Sequence, residues 1–216
     1  MIKANTRNFY HTNEYVSLAR FVSYYYQIDS VLKTNPKNVM EVGVGNKIVS
    51  SYLKEKGISV ITLDINSKLN PDIVADVRDI PVDDQKFDTT LVCEVLEHIP
   101  FKDLETALSE IARITRNHAV ISIPYSCAYF ASVSSIGIPF FEKIFRISIN
   151  IPYFIFKIPF FKQSGEHFWE MGRLHYQKKR FEATISEYFL IERSFQPILN
   201  PYHYFFICRP KRDVRI

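Results

Sequence analysis

Apolar positions along this chain switch repeatedly between a helical and a strand period. Over residues 13–33, Tyr15, Val16, Leu18, Ala19, Val22, Tyr25, Tyr26 and Val31 recur at three- and four-residue spacing. That spacing predicts a helix with Asn13 as its N-cap and Pro36 as its stop, and the Tyr24-Tyr25-Tyr26 run within it either packs on the domain or lines a substrate pocket. Residues 39–42 are apolar but for Glu41 and predict a buried strand. Gly43 and Gly45 follow, then an amphipathic helix over 48–56 closed by Gly57, then a β-branched strand over 58–63 ending in Asp64. Further strands are predicted over 73–75, 87–92 and 118–123, a helix over 101–116, a helix over 173–188, and two last strands over 189–194 and 202–208. Alternating strands and helices predict an α/β fold, a doubly wound and mostly parallel sheet with helices on both faces.

Composition narrows this picture only at certain points. A length of 216 residues suits one well-filled core with one elaboration, so we expect a single domain over 1–216: a helical cap (1–36), a ligand-binding core (37–124), an insertion (125–172) and a closing helix with two strands (173–216). The apolar fraction of 47% and charged fraction of 23% are those of a soluble globular protein, and a net charge of +4 does not support a nucleic-acid partner. Cys93, Cys127 and Cys208 stand far apart, so neither zinc nor a disulfide framework is expected, and no metal is predicted. The first residues have no apolar core of a signal peptide, which predicts a cytoplasmic protein. The uncharged window 117–141 is broken by Pro124, Gly137 and Pro139 and is not read as a transmembrane helix.

Chemistry concentrates at the glycine turn. Gly43 and Gly45 let the backbone take positive φ and let a ligand approach closely, and the helix that follows directs its free N–H groups at an anionic moiety. Strand, glycine turn, helix, strand and acid form the nucleotide-binding half of a doubly wound sheet, in which Asp64 can accept both hydroxyls of a ribose. A nicotinamide dinucleotide would require glycine or alanine three residues after Gly45, where this chain has Ile48.

In order and spacing, residues 37–125 resemble the class I S-adenosylmethionine-dependent methyltransferases, in particular their bacterial small-molecule branch. The resemblance implies a Rossmann-like seven-stranded sheet with one antiparallel strand, and S-adenosylmethionine as cofactor. Glu41, Gly43 and Gly45 match the motif that holds the methionine part; Asp64 matches the ribose acid; Asp76 and Val77 match the pair that reads the adenine. Cys93 and Glu94 fall beside the amino-acid end of the cofactor, and Val95-Leu96-Glu97-His98-Ile99-Pro100 is close to the branch's usual wording. Lys47 stands where the family has a third glycine, and either pairs with the cofactor carboxylate or points to solvent.

The insertion over 125–165 is crowded with aromatic residues and carries Lys143, Arg146, Lys157 and Lys162 against Glu142. Three readings stay open: a lid over an apolar substrate pocket, a basic aromatic surface that dips into a membrane interface, and a nucleic-acid stacking surface. The run from Gly165 to Gly172 resembles a segment of the same branch; Glu166 and Glu170 within it could share a helical face. Tyr125, His167 and Trp169 are the candidate substrate contacts. If the acceptor is a hydroxyl, His98 and His167 are the candidate bases, although His98 could instead fix its loop and His167 the lid. The resemblance implies methyl transfer to a small-molecule, saccharide or lipid-linked acceptor at oxygen, by a cytoplasmic protein that touches the membrane at most peripherally. A non-catalytic sensor or partner subunit that binds S-adenosylmethionine is the alternative.

Overall fold

The computed structural model describes Tyr15 and residues 17–138, 141–156 and 167–212. Seven strands form one sheet: β1 (Asn38–Val42), β2 (Ser59–Asp64), β3 (Ile73–Val74), β4 (Phe87–Cys93), β5 (Thr115–Pro124), β8 (Phe189–Phe195) and β9 (His203–Pro210), the numbers β6 and β7 being kept for a separate hairpin, Cys127–Ile138 and Phe141–Pro152. Their order is β3-β2-β1-β4-β5-β9-β8. The first five run parallel, while β9 is antiparallel to both β5 and β8. This is the doubly wound, mostly parallel sheet that the alternation predicts, with the one antiparallel strand that the resemblance implies.

Neighbouring residues on a strand face opposite sides of a sheet, so a strand buried on both faces reads as one apolar run. Leu91, Val120 and Phe205 pack on one side with Val39 and Val60, beneath α1 (Leu18–Lys33) and α2 (Ile48–Glu55). Their sequence neighbours Val92, Ile121 and Phe206 pack on the other with Met40 and Leu63, beneath α3 (Leu104–Ile114) and α4 (Lys178–Tyr188).

Element ends depart from the periodicity for local reasons. Helix α1 begins at Leu18, where the Ser17 hydroxyl accepts from the Arg20 amide at 3.3 Å; the expected cap Asn13 lies outside the described residues. A short 3-10 turn, Phe101–Asp103, precedes α3, and at its end Thr115 donates to Ile111 O at 2.5 Å and joins β5. The helix expected from 173 starts only at Lys178. Gly172 takes φ +90, and residues 173–176 form a turn in which the Tyr176 amide donates to Arg173 O.

The largest departure is the insertion. Instead of an irregular loop, β6 and β7 pair over twelve residues each, a ribbon about 40 Å long at the usual rise per residue. Directly opposed residues share a face, so the pairs Phe130–Ile149, Ser132–Ile147, Ser134–Phe145 and Ile136–Lys143 place one apolar row together. Phe130, Ile136, Phe145, Ile147 and Ile149 on that row are all exposed. The opposite face carries Glu142, Arg146, Ser148 and Asn150, interleaved with exposed Tyr129, Val133 and Ile144. At the root, the amide of Ser126 donates to Met171 O at 2.7 Å, and that of Phe154 to Gly172 O at 3.0 Å. Among the described residues, no helix is long and apolar enough to cross a membrane.

Because the sheet carries the core and the ribbon does not, Phe205→Ala is expected to cost about 3–5 kcal/mol of stability. Ile147→Ser should stay within about 0.5 kcal/mol. Urea denaturation of the two variants measures the contrast.

Candidate functional site

A cavity of about 860 Å³ opens at the carboxyl ends of β1, β2 and β4. Its floor is the turn after β1, where Gly43 and Gly45 take φ +82 and +46. A Cβ on Gly43 would strike the Val95 side chain, so glycine is required there by space as well as by torsion. Asp64, ending β2, accepts the Val44 amide on Oδ2 at 3.0 Å and the Asn66 amide on Oδ1 at 2.8 Å. Each carboxylate oxygen keeps a further lone pair for a ligand hydroxyl. Asp76 is gripped by the Arg78 guanidinium at 2.9 and 2.6 Å, whose hydrogen bonds hold its carboxyl below the usual range. Val77 forms the adjoining apolar wall.

A buried acid and a half-buried one face this cavity with raised affinity for protons. Burial pushes Glu41 up to about 7, and its Oε2 has no hydrogen-bond partner among the described residues. Burial likewise pushes Glu94 up to about 7; it takes φ +56, accepts from the Ser122 hydroxyl at 2.9 Å and lies 3.3 Å from His203 Nε2. Burial raises the Cys93 thiol, so this cavity residue is an apolar wall and not a nucleophile. Lys47 lies outside the cavity wall. It caps α2 with φ +65 and its Nζ donates to Asn70 O at 2.5 Å, clipping the loop after β2 in place of either expected role.

Helix α1 supplies wall residues: Arg20 and Gln27, which the sequence reading did not single out, and Tyr24 of the tyrosine run, with Tyr15 just ahead of them. Tyr24 accepts from Asn46 Nδ2 at 2.8 Å, while Tyr25 is exposed and Tyr26 packs against Phe195 and Phe205. The tyrosine run thus divides between the two readings open to it.

On the opposite wall, His98 lines the cavity with fully buried Glu97 behind it. The His98 and His167 rings meet edge to face at 4.9 Å, and their Nε2 atoms lie 4.0 and 3.9 Å from Glu97 Oε1. His167 is not itself in the cavity wall; its neighbour Phe168 is. His167 Nδ1 sits 2.9 Å from Glu170, which also takes the Arg173 guanidinium at 2.7 Å, the Tyr202 hydroxyl at 3.0 Å and the Ser126 hydroxyl. Burial alone would raise Glu170, but the bonds from His167, Ser126 and Arg173 outweigh it and hold the carboxyl at about 2. Burial pushes Glu97 well above the usual carboxylate range, and neighbouring Glu94 adds to the shift.

Two expected substrate contacts lie elsewhere. Trp169 is buried between Phe101 and Phe181 and donates Nε1–H to Ile99 O at 3.1 Å, because a buried indole needs a partner for its one donor. Tyr125 lines a separate cavity of about 180 Å³ at the hairpin root, edge-on to Tyr204. Residues 167–172 are not helical, so Glu170 presents no helical face, and Glu166 is outside the described residues.

Residues 40–123 match a family model described as a methyltransferase domain. Over that span the chain is similar to methyltransferases. Three solved structures share its fold. The N-methyltransferase NodS from Bradyrhizobium japonicum, with S-adenosyl-l-homocysteine, is 10% identical with a TM-score of 0.62, covering 91% of this chain and 89% of that one. The 1,6-didemethyltoxoflavin-N1-methyltransferase of Burkholderia thailandensis is 13% identical with a TM-score of 0.57 over 89% and 78%. Magnesium protoporphyrin IX methyltransferase from Synechocystis is 15% identical with a TM-score of 0.57 over 94% and 85%. A search of curated proteins found no match.

The cavity fits S-adenosylmethionine by charge. S-adenosylmethionine brings an ammonium and a sulfonium, and the orphaned oxygen of Glu41 is an acceptor awaiting a cationic donor. Both Glu41 and Glu94 have pKa values near 7, so below that pH they are neutral and attract a cation less. Affinity for S-adenosylhomocysteine, which retains the ammonium, should therefore rise between about pH 6 and pH 8, with release of protons on binding. Glu41→Gln should weaken binding by about 1.5–3 kcal/mol and flatten that rise. Calorimetry in buffers of different ionisation enthalpy reads both.

Proposed function

We propose that this methyltransferase transfers the methyl group of S-adenosylmethionine to an oxygen of a small acceptor of the saccharide or lipid-linked class, at a membrane surface touched by the β6–β7 ribbon. The observation that carries this reading is the exposed apolar row of the ribbon, Phe130, Ile136, Phe145, Ile147 and Ile149, with Lys143 among them and Arg146 on the opposite face. A contiguous exposed apolar surface rimmed by basic residues favours a membrane interface with anionic lipid. The ribbon root joins the reaction side through Glu170, which is bonded both to Ser126 beside β6 and to His167 beside His98.

When bound, S-adenosylmethionine supplies a methyl group already activated on sulfur. What the chain adds is alignment and a dry wall. In this reading Asp64 and Asp76 hold the nucleoside and Glu41 and the glycine turn the amino-acid end, while Val77, Cys93 and Val95 give apolar surface, which their shared place in one cavity wall supports. An attacking hydroxyl must lose its proton, whereas an amine with a free lone pair need not. The imidazole of His98 on the cavity wall, with Glu97 behind it, favours an oxygen acceptor.

Incubation with S-adenosylmethionine and separated lipid and aqueous cell fractions tests the acceptor. We expect a gain of one methylene unit on a hydroxyl-bearing lipid or saccharide, whereas methylation confined to amines would overturn it. Vesicles of phosphatidylglycerol and phosphatidylethanolamine should co-sediment the protein, and a Phe145→Ser, Ile147→Ser, Ile149→Ser variant should stay in solution. Equal sedimentation of the two removes the ribbon from the reading.

A further inference from the structure

The pairing of Glu97 with two imidazoles has a chemistry of its own. Glu97 has no solvent exposure, and neither of its oxygens has a hydrogen-bond partner in another residue among the described residues. A buried carboxylate is ordinarily satisfied, so a pair of orphaned oxygens points to a missing cationic or donor group. Its Oε1 lies 3.9 Å from His167 Nε2 and 4.0 Å from His98 Nε2, and one donor atom from each residue falls within 4.8 Å of the others.

The orientation of His167 has a separate cause. Its Nδ1 meets Glu170, whose carboxylate already receives the Arg173 guanidinium and the hydroxyls of Ser126 and Tyr202. An ionised carboxylate can only accept, so Nδ1 carries a proton and Nε2 is the nitrogen directed towards Glu97. A carboxylate behind an imidazole, fixing tautomer and ring direction, is the usual support of a metal-ligating histidine.

We propose that Glu97, His98 and His167 bind one divalent first-row transition-metal ion, with its remaining coordination positions open to the cofactor cavity. Two nitrogens and one oxygen suit zinc, cobalt or manganese better than calcium or magnesium, which take oxygen donors. Ligands at about 2.0–2.2 Å from an ion stand roughly 3.0–3.5 Å apart, so binding draws each imidazole inward by about half an ångström. His98 has a 39% exposed side chain and lines the cavity, which leaves the open side facing the methyl acceptor. This step rests on the oxygen-acceptor reading above. A hydroxyl coordinated to the ion becomes more acidic and gives its proton to solvent water, and the two imidazoles then act as ligands in place of bases.

Cobalt(II) alone is the probe, titrated into chelator-treated full-length protein and followed by its visible d–d bands and by calorimetry. We expect one ion per chain, no thiolate-to-metal charge-transfer band, and binding at least about tenfold weaker in both Glu97→Gln and His98→Ala. His98→Ala, at a half-exposed position, decides the matter if Glu97→Gln fails to fold. No stoichiometric binding, a thiolate band, or equal affinity in wild type and His98→Ala would falsify the site. Cobalt binding without oxygen methylation upholds the ion and retires only the acceptor reading; oxygen methylation without cobalt binding retires only the ion.

Discussion

The cofactor side of this protein depends on one carboxylate. Asp64 ends β2, yet it receives the amide of Val44 from the turn after β1 and that of Asn66 from its own loop. Two glycines make that turn geometrically accessible, but accessibility is not position. A chain with φ of +82 at Gly43 and +46 at Gly45 has many neighbouring conformations. The Asp64 clasp, with the Gly43 amide bonded to Leu63 O at 2.8 Å, selects one of them by leaving any other with unpaired polar groups. The residue expected to touch the ribose is thus also what holds the floor beneath the amino-acid end.

Parts of the site written as consecutive residues were legible in the sequence, and parts assembled by docking were not. Glu41, Gly43, Gly45, Asp64, Asp76, Val77, Cys93 and Glu94 all line one cavity because each sits at or just beyond the end of a parallel strand, and a strand end has few places to go. Arg20, Tyr24 and Gln27 reach the same cavity from a helix whose facing side is decided by how α1 lies across α2 and the sheet. Periodicity reports that such a helix has a buried side but does not say what it is buried against. Phe168 and Trp169 illustrate the limit at single-residue scale: adjacent in an extended segment, they point opposite ways, and the unnamed neighbour took the cavity while the tryptophan took the core.

The ribbon was hidden for a different reason. Its apolar row does alternate, but Ala131, Ser132, Ser134, Ser135 and Gly137 in β6 have weak strand preference and read as loop. Only pairing with β7, where Phe145, Ile147 and Ile149 keep period two, makes the strand. Glu170 lay equally out of reach. Its partners Ser126 and Tyr202 stand on either side of it in the chain by 44 and 32 residues, and they meet only because β9 inserts beside β5. The result is a fully satisfied anion that ties the hairpin root, the last sheet strand and His167 into one hydrogen-bonded unit.

Glu170 is also the contrast that gives the other acids their meaning. It is buried and nevertheless ionised, because donors from three elements surround it. Glu41 and Glu97 are buried and Glu94 is half-buried, with too few donors to offset the loss of water, and each is driven toward its neutral form. A fold that can satisfy Glu170 so completely is capable of satisfying carboxylates, so two poorly satisfied ones in the wall of one cavity and a third just behind it are not a failure of packing. A cation that arrives offsets the cost of holding them ionised without water, and the deprotonation that accompanies it draws on the binding free energy at about pH 7 and below. Charge complementarity therefore works here in part through protonation: Glu41 and Glu94 give up protons as a cationic ligand enters.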